Sequence, residues 1–331
     1  MIVSRAPVRF SLGGGGSDLP TYSREHGGFV VSAAVDKFVF VCVSRRFYET
    51  IRLAYSETET VSSVDQIRHR IFRAALKGMG FTGGLEIHSL ADVPANTGLG
   101  SSSSFTVALL NGLHAFRRES VSAEQLAREA CHLEIDVLGE PIGKQDQYIA
   151  AYGGISALTF HPDGRVEVER LDLRDEVIDE LETRLVIYYT GVERAASSVL
   201  AQQAGSIVEN RDGAVERMHR IKALGHETRR ILLSGELDSY GEMLDEHWAQ
   251  KRRLAAGMTA GVLDEHYEAA RKAGAIGGKL MGAGGGGFFM FYVRPGERRR
   301  LHETLTARGL RPLRFRFDFD GARIMADFHR S

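Results

Sequence analysis

The sequence predicts an α+β protein of two domains, which comprise residues 1–190 and 191–331. The chain has 331 residues, more than one small hydrophobic core usually organises. Strand and helix patterns are mixed up to about Thr190, whereas the pattern of residues 193–272 is almost wholly helical. The change near Thr190 therefore marks the expected domain boundary.

Apolar periodicity predicts the main elements of the first domain. Residues 8–12 alternate between apolar and polar side chains, as in a half-buried strand, with Arg9 on the polar face. Residues 38–43 form an apolar run rich in β-branched side chains, which is typical of a strand buried on both faces. Residues 101–116 begin with serines and continue with apolar side chains at helical spacing, which predicts a helix.

The end of the chain again shows strand patterns. Apolar runs at residues 276–281 and 288–293 predict two strands on either side of the glycine cluster GAGGGG, and a polar helix is expected at residues 297–308. Phenylalanine occupies every second position of residues 315–319, and an Asp-Gly pair follows. This combination is typical of a hairpin.

Composition excludes several classes of function. Forty-two Lys and Arg residues balance 43 Asp and Glu residues, so no broad positive field favours nucleic acid or anionic lipid. Cys42 and Cys131 are the only cysteines, which suggests neither a disulfide framework nor a cysteine metal site. The sequence shows no secretory signal and no run near the roughly 20 apolar residues of a membrane helix. We expect a cytoplasmic protein with no nucleic-acid or membrane partner, and a homodimer is compatible with the sequence.

The segment PANTGLGSSSSF, residues 94–105, places glycines directly before the start of a predicted helix. A helix N-terminus carries unpaired backbone N–H groups and a partial positive charge, which together favour an anion. The serine hydroxyls can bond phosphate oxygens or reach a metal ion. An ordinary glycine turn with a serine N-cap is the alternative, but one serine would suffice for it. The segment therefore predicts a phosphate-binding loop, and it is not a Walker A loop, because no G-x4-G-K-S/T occurs.

Two further glycine clusters flank this loop in the sequence. The four glycines at residues 13–16 have no side chains, and fixing their backbone on folding costs much conformational entropy. Their presence indicates that another group must approach the backbone closely there. GAGGGG at residues 282–287 formally matches a dinucleotide fingerprint, but a strand rather than a helix follows it, and this excludes that interpretation. A tight hairpin would need fewer small residues, so close backbone approach to a ligand or another loop is the favoured interpretation.

Together the three clusters resemble the motifs of the GHMP kinase superfamily, in the family's order. The matching segments are RAPVRFSLGGGGSD, PANTGLGSSSSF and KLMGAGGGGFFMF. The GGGGSD form and GKQDQY look most like the subgroup that phosphorylates the anomeric oxygen of D-glycero-D-manno-heptose 7-phosphate. The resemblance implies an amino-terminal α+β domain and a carboxy-terminal ferredoxin-like α+β domain, with the active site between them. It also implies a sugar phosphate and ATP as small-molecule partners, with Mg²⁺ as cofactor.

The resemblance assigns roles to individual residues. Asp146 matches the catalytic aspartate that accepts the proton of the attacking hydroxyl, and Arg9 matches the cation that steadies charge at the transferred phosphoryl. Ser102 and Glu134 match the two magnesium ligands. The expected nucleotide-binding residues are Pro94, Gly98, Leu99, Gly100, Ser101, Ser102, Ser103 and Ser104. The expected substrate-binding residues are Gly14, Gly15, Gly16, Ser17, Asp18, Gly284, Gly285 and Gly286.

Several alternatives stay open on sequence. Asp18 could accept sugar hydroxyls or cap a short following helix. The candidates for gripping the second phosphate are Arg194, Lys251, Arg252 and Lys279. His247 and Trp248 could line the sugar pocket or belong to a solvated helix with one buried Trp. Competing functions are a kinase for fucose, galactose or an octose phosphate, a superfamily decarboxylase, and a sugar sensor without activity.

Overall fold

The computed structural model describes residues 1–95, 97–192, 202, 204–210, 213–254, 261–282 and 286–328. Within these ranges the chain forms two β-sheets, each of which packs against helices. Among the helices described, none is both long and apolar enough to cross a membrane.

The first sheet has eight strands and is antiparallel except where β3 pairs with β5. Its strands are β1 (Ile2–Gly13), β2 (Gly28–Arg45), β3 (Ile51–Ala54), β4 (Thr58–Val61), β5 (Leu85–Ala91), β6 (Ile155–Phe160), β7 (Val166–Arg170) and β12 (Arg323–Asp327). The order is β12-β1-β2-β5-β3-β4, and the amino-terminal half of β2 also pairs with β6, which pairs with β7. The long β2 therefore joins the two halves of the sheet.

Six α-helices accompany this sheet. They are α1 (Pro20–His26), α2 (Arg70–Gly78), α3 (Ser101–Phe116), α4 (Ala123–Cys131), α5 (Gln145–Tyr152) and α6 (Asp175–Arg184). Helix α3 packs on β1 and β2, and α4 continues into a π-helical segment, His132–Val137. Helix α5 packs against β1, which brings its amino terminus to the same edge of the sheet as Arg9.

The second sheet has four antiparallel strands in the order β11-β8-β10-β9. Its strands are β8 (Leu185–Tyr189), β9 (Ala275–Leu280), β10 (Phe288–Val293) and β11 (Arg311–Leu313). The helices of this half are α7 (Ala214–Ser234), α8 (Asp238–Leu254), α9 (Val262–Lys272) and α10 (Arg298–Ala307). In chain order, helices connect β8 to β9 and β10 to β11. This arrangement is ferredoxin-like, and it confirms the expected fold class.

The two sheets do not divide at Thr190. Strand β8 precedes that residue yet pairs only with β10 and β11 of the second sheet, and β12 returns to pair with β1 of the first sheet. The change of pattern near Thr190 marks the end of β8, whereas sheet membership depends on partners more than 100 residues away. The domain ranges 1–190 and 191–331 stay a prediction.

Three local expectations were wrong. Residues 8–12 are buried on both faces of β1 and not on one, because Arg9 and Ser11 are buried as well. Residues 38–43 alternate between buried and half-buried, so β2 buries one face there and not both.

The phenylalanines of residues 315–319 form no hairpin, and only Phe317 makes an isolated bridge, to Val35. Phe315 and Phe317 pack against the core, and Phe315 lies edge-on against Phe10 with ring centroids 4.8 Å apart. Phe319 is exposed.

One hydrophobic cluster spans both halves of the molecule. Val8, Phe10 and Leu12 of β1 belong to the same buried cluster as Ile187 of β8 and Met290 of β10. Every one of these side chains is at most 1% exposed. Burial of this apolar surface stabilises the contact between the two sheets behind the site.

The phosphate loop (residues 94–100) and the third glycine cluster (residues 282–287) touch backbone to backbone. A Cβ on Gly98, where φ is +84°, would lie 2.6 Å from the carbonyl oxygen of Met281. A Cβ on Gly282 would overlap the Cα of Gly98, and one on Gly287 would overlap the carbonyl of Thr97. The expected close approach to another loop is thus confirmed, and glycine is required because no side chain fits.

We expect Gly98→Ala to destabilise the protein through this contact. The substitution should lower the free energy of unfolding by about 1–3 kcal/mol more than Gly80→Ala, as judged by urea denaturation. Gly80 is the matched control, because its φ is +72° but nothing lies within 4 Å of its Cβ position. Equal losses in the two variants would mean that the positive φ, and not the loop contact, sets the requirement at Gly98.

Candidate active site

The three glycine clusters contribute to the lining of one cavity of about 330 Å³ between the two halves of the molecule. The expected site residues that line it are Arg9, Gly15, Gly16, Asp18, Gly98, Gly100, Ser101, Ser102, Ser103, Glu134 and Asp146. From the second half, Lys251, Lys279 and Gly282 complete the wall. The structure therefore brings together residues as far apart in sequence as Arg9 and Gly282.

Other expected nucleotide-binding residues face away from the cavity. Leu99 is fully buried in the core, and Pro94 is exposed outside the cavity, where its carbonyl accepts a bond from Thr97. The hydroxyl of Ser104 donates to the backbone carbonyl of Pro7, at 2.8 Å. These residues shape the loop without lining the site.

The expected substrate-binding residues divide in the same way. The hydroxyl of Ser17 bonds the backbone of Gly14 and Phe29, at 2.8 to 3.0 Å, and so holds the turn. Gly14 packs against Phe29 and the backbone of Gly225, and Gly286 packs against Val192. Gly284, Gly285 and Arg194 lie outside the residues that the structure describes.

Arg9 and Asp146 form a bidentate ion pair at the centre of the site. The Nε of Arg9 donates to Oδ1 of Asp146 at 2.7 Å, and Nη2 donates to Oδ2 at 2.8 Å. The third arm of the guanidinium, Nη1, donates to the carbonyl of Gly98 at 2.5 Å. Such paired bonds fix the orientation of a carboxylate, and the Asp146 side chain stays 23% exposed.

The amino terminus of α3 lies directly beside this carboxylate. Gly100 is its N-cap, in the left-handed conformation with φ +76°, and no side chain caps the helix. A Cβ on Gly100 would lie only 2.9 Å from Oδ2 of Asp146. The unpaired N–H groups of the first turn and the exposed Ser102 are thus available to an anion near Asp146.

Glu134 is buried on the π-helical segment behind the phosphate loop. Thr106 donates to its Oε1 at 3.0 Å, and the amide of Gln147 donates to its Oε2 at 2.5 Å. Burial nevertheless raises the pKa of Glu134 to about 7, and the negative charge of Asp146 acts in the same direction. π-Helical turns often occur at functional sites, and here one carries an acidic side chain of the cavity wall.

Asp18 does not cap the short helix that follows it. Helix α1 has Leu19 at its N-cap and no side-chain cap bond. The carboxylate of Asp18 instead accepts from the backbone N–H of Gln145 at 3.2 Å and from the Gln145 amide at 3.1 Å. Asp18 therefore holds the amino terminus of α5, on which Asp146 lies, and burial raises its pKa.

Gln145 and Gln147 were not among the residues predicted for the site. They flank Asp146 in GKQDQY, and each holds a carboxylate of the cavity, Asp18 and Glu134 respectively. Their position on either side of the catalytic candidate was a signal in the sequence. Their partners could not be found there, because Asp18 lies 127 positions from Gln145 and Glu134, although near in sequence, lies on a separate helical segment.

The wall from the second half is cationic. Lys251, on the last turn of α8, and Lys279, on β9, are 8% and 2% exposed and both line the cavity. Lys251 donates to the backbone carbonyl of Gly282. Burial and the neighbouring charge of Arg9 lower the pKa of Lys251 to about 8. Burial and the charges of Lys251 and Arg9 also lower the pKa of Lys279 well below its ordinary value.

The remaining candidates for this wall point elsewhere. Arg252 pairs with Asp264 at 2.9 Å, away from the cavity. Trp248 is buried against Phe289, which supports its interpretation as a core residue. His247 is also fully buried, and neither of its ring nitrogens has a hydrogen-bond partner within the described part of the chain.

Comparison with known proteins agrees with this geometry. Residues 66–154 match the family described as GHMP kinases N terminal domain, and residues 228–309 match GHMP kinases C terminal, together just over half of the chain. A Campylobacter jejuni protein named D-glycero-alpha-D-manno-heptose 7-phosphate kinase is 27% identical, over 92% of this chain and 93% of its own length. A galactokinase of Pyrococcus furiosus is 25% identical, over 86% and 87%.

The fold agrees as well. The crystal structure of a D-glycero-D-manno-heptose 1-phosphate kinase from Bacteroides thetaiotaomicron has a TM-score of 0.82 and 26% identity, covering 99% of this chain and 100% of that one. Family matches in both halves, whole-chain relatives and the shared fold lead to one conclusion. The chain belongs to the GHMP kinase family and is an ATP-dependent sugar kinase.

Proposed function

We propose that this kinase transfers the γ-phosphoryl group of ATP to the anomeric hydroxyl of D-glycero-D-manno-heptose 7-phosphate, giving the 1,7-bisphosphate. The observation that carries the proposal is the Arg9–Asp146 pair, which lies between an uncapped helix N-terminus and a wall of two buried lysines. The named heptose 7-phosphate kinase, which matches almost the whole chain, supports the choice of sugar.

The geometry suits the demands of phosphoryl transfer, which are mainly positioning and charge neutralisation. The acceptor oxygen forms a bond to the γ-phosphorus, the bond from that phosphorus to the β–γ bridging oxygen breaks, and ADP leaves. Asp146 accepts the hydroxyl proton, and Arg9 and the N–H groups of α3 balance the phosphoryl charge. An anomeric hydroxyl is more acidic than an ordinary alcohol, which suits a carboxylate base.

Ser102 and Glu134 are the residues that would hold Mg²⁺. Both line the cavity, and Ser102 is exposed at the amino terminus of α3. In the described ranges no group of three or more His, Cys, Asp or Glu side chains suits a metal ion. Mg²⁺ fits such a sparse set, because it usually takes one or two protein ligands and completes its shell with phosphates and water. When bound, it would neutralise charge on the transferred phosphoryl.

The substrate is tested by coupled ADP release with MgATP and a panel of sugars. The panel comprises D-glycero-D-manno-heptose 7-phosphate, sedoheptulose 7-phosphate, fucose, galactose and mannose, and phosphorus NMR identifies the product. Turnover confined to the manno-heptose phosphate is the expected result. Turnover of galactose would favour the activity named for the Pyrococcus relative, and release of carbon dioxide or silence on every sugar would contradict the proposal.

We expect Asp146→Asn to lower turnover by about 10²- to 10⁴-fold and to leave nucleotide affinity nearly unchanged. This range is the usual contribution of a general base, about 3 to 5.5 kcal/mol of the barrier. Steady-state kinetics and nucleotide titration measure the two quantities. Asp136→Asn is the matched control, because Asp136 is exposed and, among the described residues, bonds only His132 on its own helical segment. Full turnover of Asp146→Asn would remove the base role.

We expect Glu134→Gln to stabilise the metal-free protein at alkaline pH. The folded-state pKa of about 7 exceeds the ordinary value of 4.5, so ionisation costs folding stability increasingly as pH rises from about 4.5 to 7. The variant should gain about 1–3 kcal/mol at pH 8 and much less at pH 5, measured by urea unfolding. Glu242→Gln, at an exposed position of α8, serves as control. A gain in the free energy of unfolding that does not depend on pH would show that ionisation of Glu134 does not destabilise the folded protein.

A further inference from the structure

Two buried lysines face the cavity from the second half of the molecule, and neither forms an ion pair with an acidic side chain among the described residues. The side chain of Lys251 bonds only the carbonyl of Gly282, and Lys279 has no hydrogen-bond or ion-pair partner within the described part of the chain. Both side chains are more than nine-tenths buried. Helix α8 and strand β9, which carry them, pack directly against each other.

The carboxylates that line the same cavity are engaged elsewhere. Asp146 pairs with Arg9, Glu140 with Arg70, Glu134 with Thr106 and Gln147, and Asp18 with Gly16 and Gln145. Within the described residues, no carboxylate therefore forms an ion pair with either ammonium group. Isolated buried charges are costly, and the mutual repulsion of Lys251, Lys279 and Arg9 adds to that cost.

An anion that enters the cavity would balance these charges, and two phosphates are candidates. One is the transferred phosphoryl of ATP, and the other is the phosphate that the acceptor sugar already carries. Among the described residues, the cations that line the cavity are Arg9, Lys251 and Lys279. Arg9 is paired with Asp146 beside the helix N-terminus and is proposed to balance the transferred phosphoryl. The two lysines of the other wall are therefore the cations left for the sugar's own phosphate.

The geometry points to Lys251 and Lys279 as the subsite for the phosphate that the sugar carries before the reaction. The inference rests on the proposed function for the identity of the sugar. Two ammonium groups on adjacent elements can each bond different oxygens of one phosphate, with charge-assisted bonds that strengthen in a water-poor cavity. The subsite would select a sugar phosphate over a neutral sugar, because without the phosphate both lysines stay buried and unpaired.

Kinetics of Lys251→Met and Lys279→Met test the subsite. For each variant we measure kcat/KM with D-glycero-D-manno-heptose 7-phosphate and with unphosphorylated D-glycero-D-manno-heptose. The loss for the sugar phosphate should exceed the loss for the free heptose by about 100-fold, and the KM for ATP should stay within about threefold of wild type. Lys272→Met, at an exposed position of α9, should change none of these values. Equal losses for both sugars, or a raised KM for ATP, would assign the lysines to the nucleotide and overturn the inference.

A binding experiment separates this inference from the proposed function. With Mg²⁺ and a non-hydrolysable ATP analogue saturating the nucleotide site, calorimetry should detect inorganic phosphate on wild type, with at least tenfold weaker binding in both variants. That result supports the subsite even if wild type phosphorylates no heptose. Unchanged phosphate affinity in the variants overturns it. Should a Met variant fail to fold, Lys→Gln at the same position replaces it, with the same expectation.

Discussion

Gly98 of the phosphate loop and Gly282 of the third glycine cluster meet backbone to backbone, with no space for a side chain on either residue. Two of the cations of the site are anchored on this contact. Arg9 donates to the carbonyl of Gly98, and Lys251 donates to the carbonyl of Gly282. The contact thus sets the distance between the helix N-terminus of the first half and the cationic wall of the second. A side chain at either glycine would push these groups apart.

The first turn of α5 distributes three consecutive side chains to three different elements. Gln145 bonds Asp18 beside the first glycine cluster, Asp146 pairs with Arg9 on β1, and Gln147 bonds Glu134 on the π-helical segment. Successive residues of a helix point about 100° apart, so one turn can reach three neighbours. The catalytic candidate is fixed by its own ion pair and by both adjacent residues, which limits its freedom before substrate arrives.

The charged side chains of the cavity lower the stability of the folded protein. Burial raises the pKa of Glu134 and lowers those of Lys251 and Lys279, so each of the three charges is held in a place that disfavours it. Charges retained at such a cost are typical of functional sites. ATP, Mg²⁺ and a sugar phosphate carry the opposite charges, and their binding would relieve these costs. The groups whose charges are costly in the folded protein are therefore the ones that we propose bind the ligands.

The sequence by itself determined the fold class and the three glycine clusters, because bare backbone and a helix start are local signals. Its resemblance to the family singled out Arg9 and Asp146 as candidates, but not their ion pair. Only the tertiary structure decided which serines face inward and which residue the carboxylate of Asp18 bonds. It also decided that β8 lies in the second sheet and β12 in the first. It also decided that Lys251 and Lys279 form no ion pair with an acidic side chain in the described ranges, whereas Arg252, which sequence had grouped with them, pairs with Asp264. Periodicity indicates which faces are buried, but the partner of a buried group depends on contacts between different elements, which periodicity does not specify.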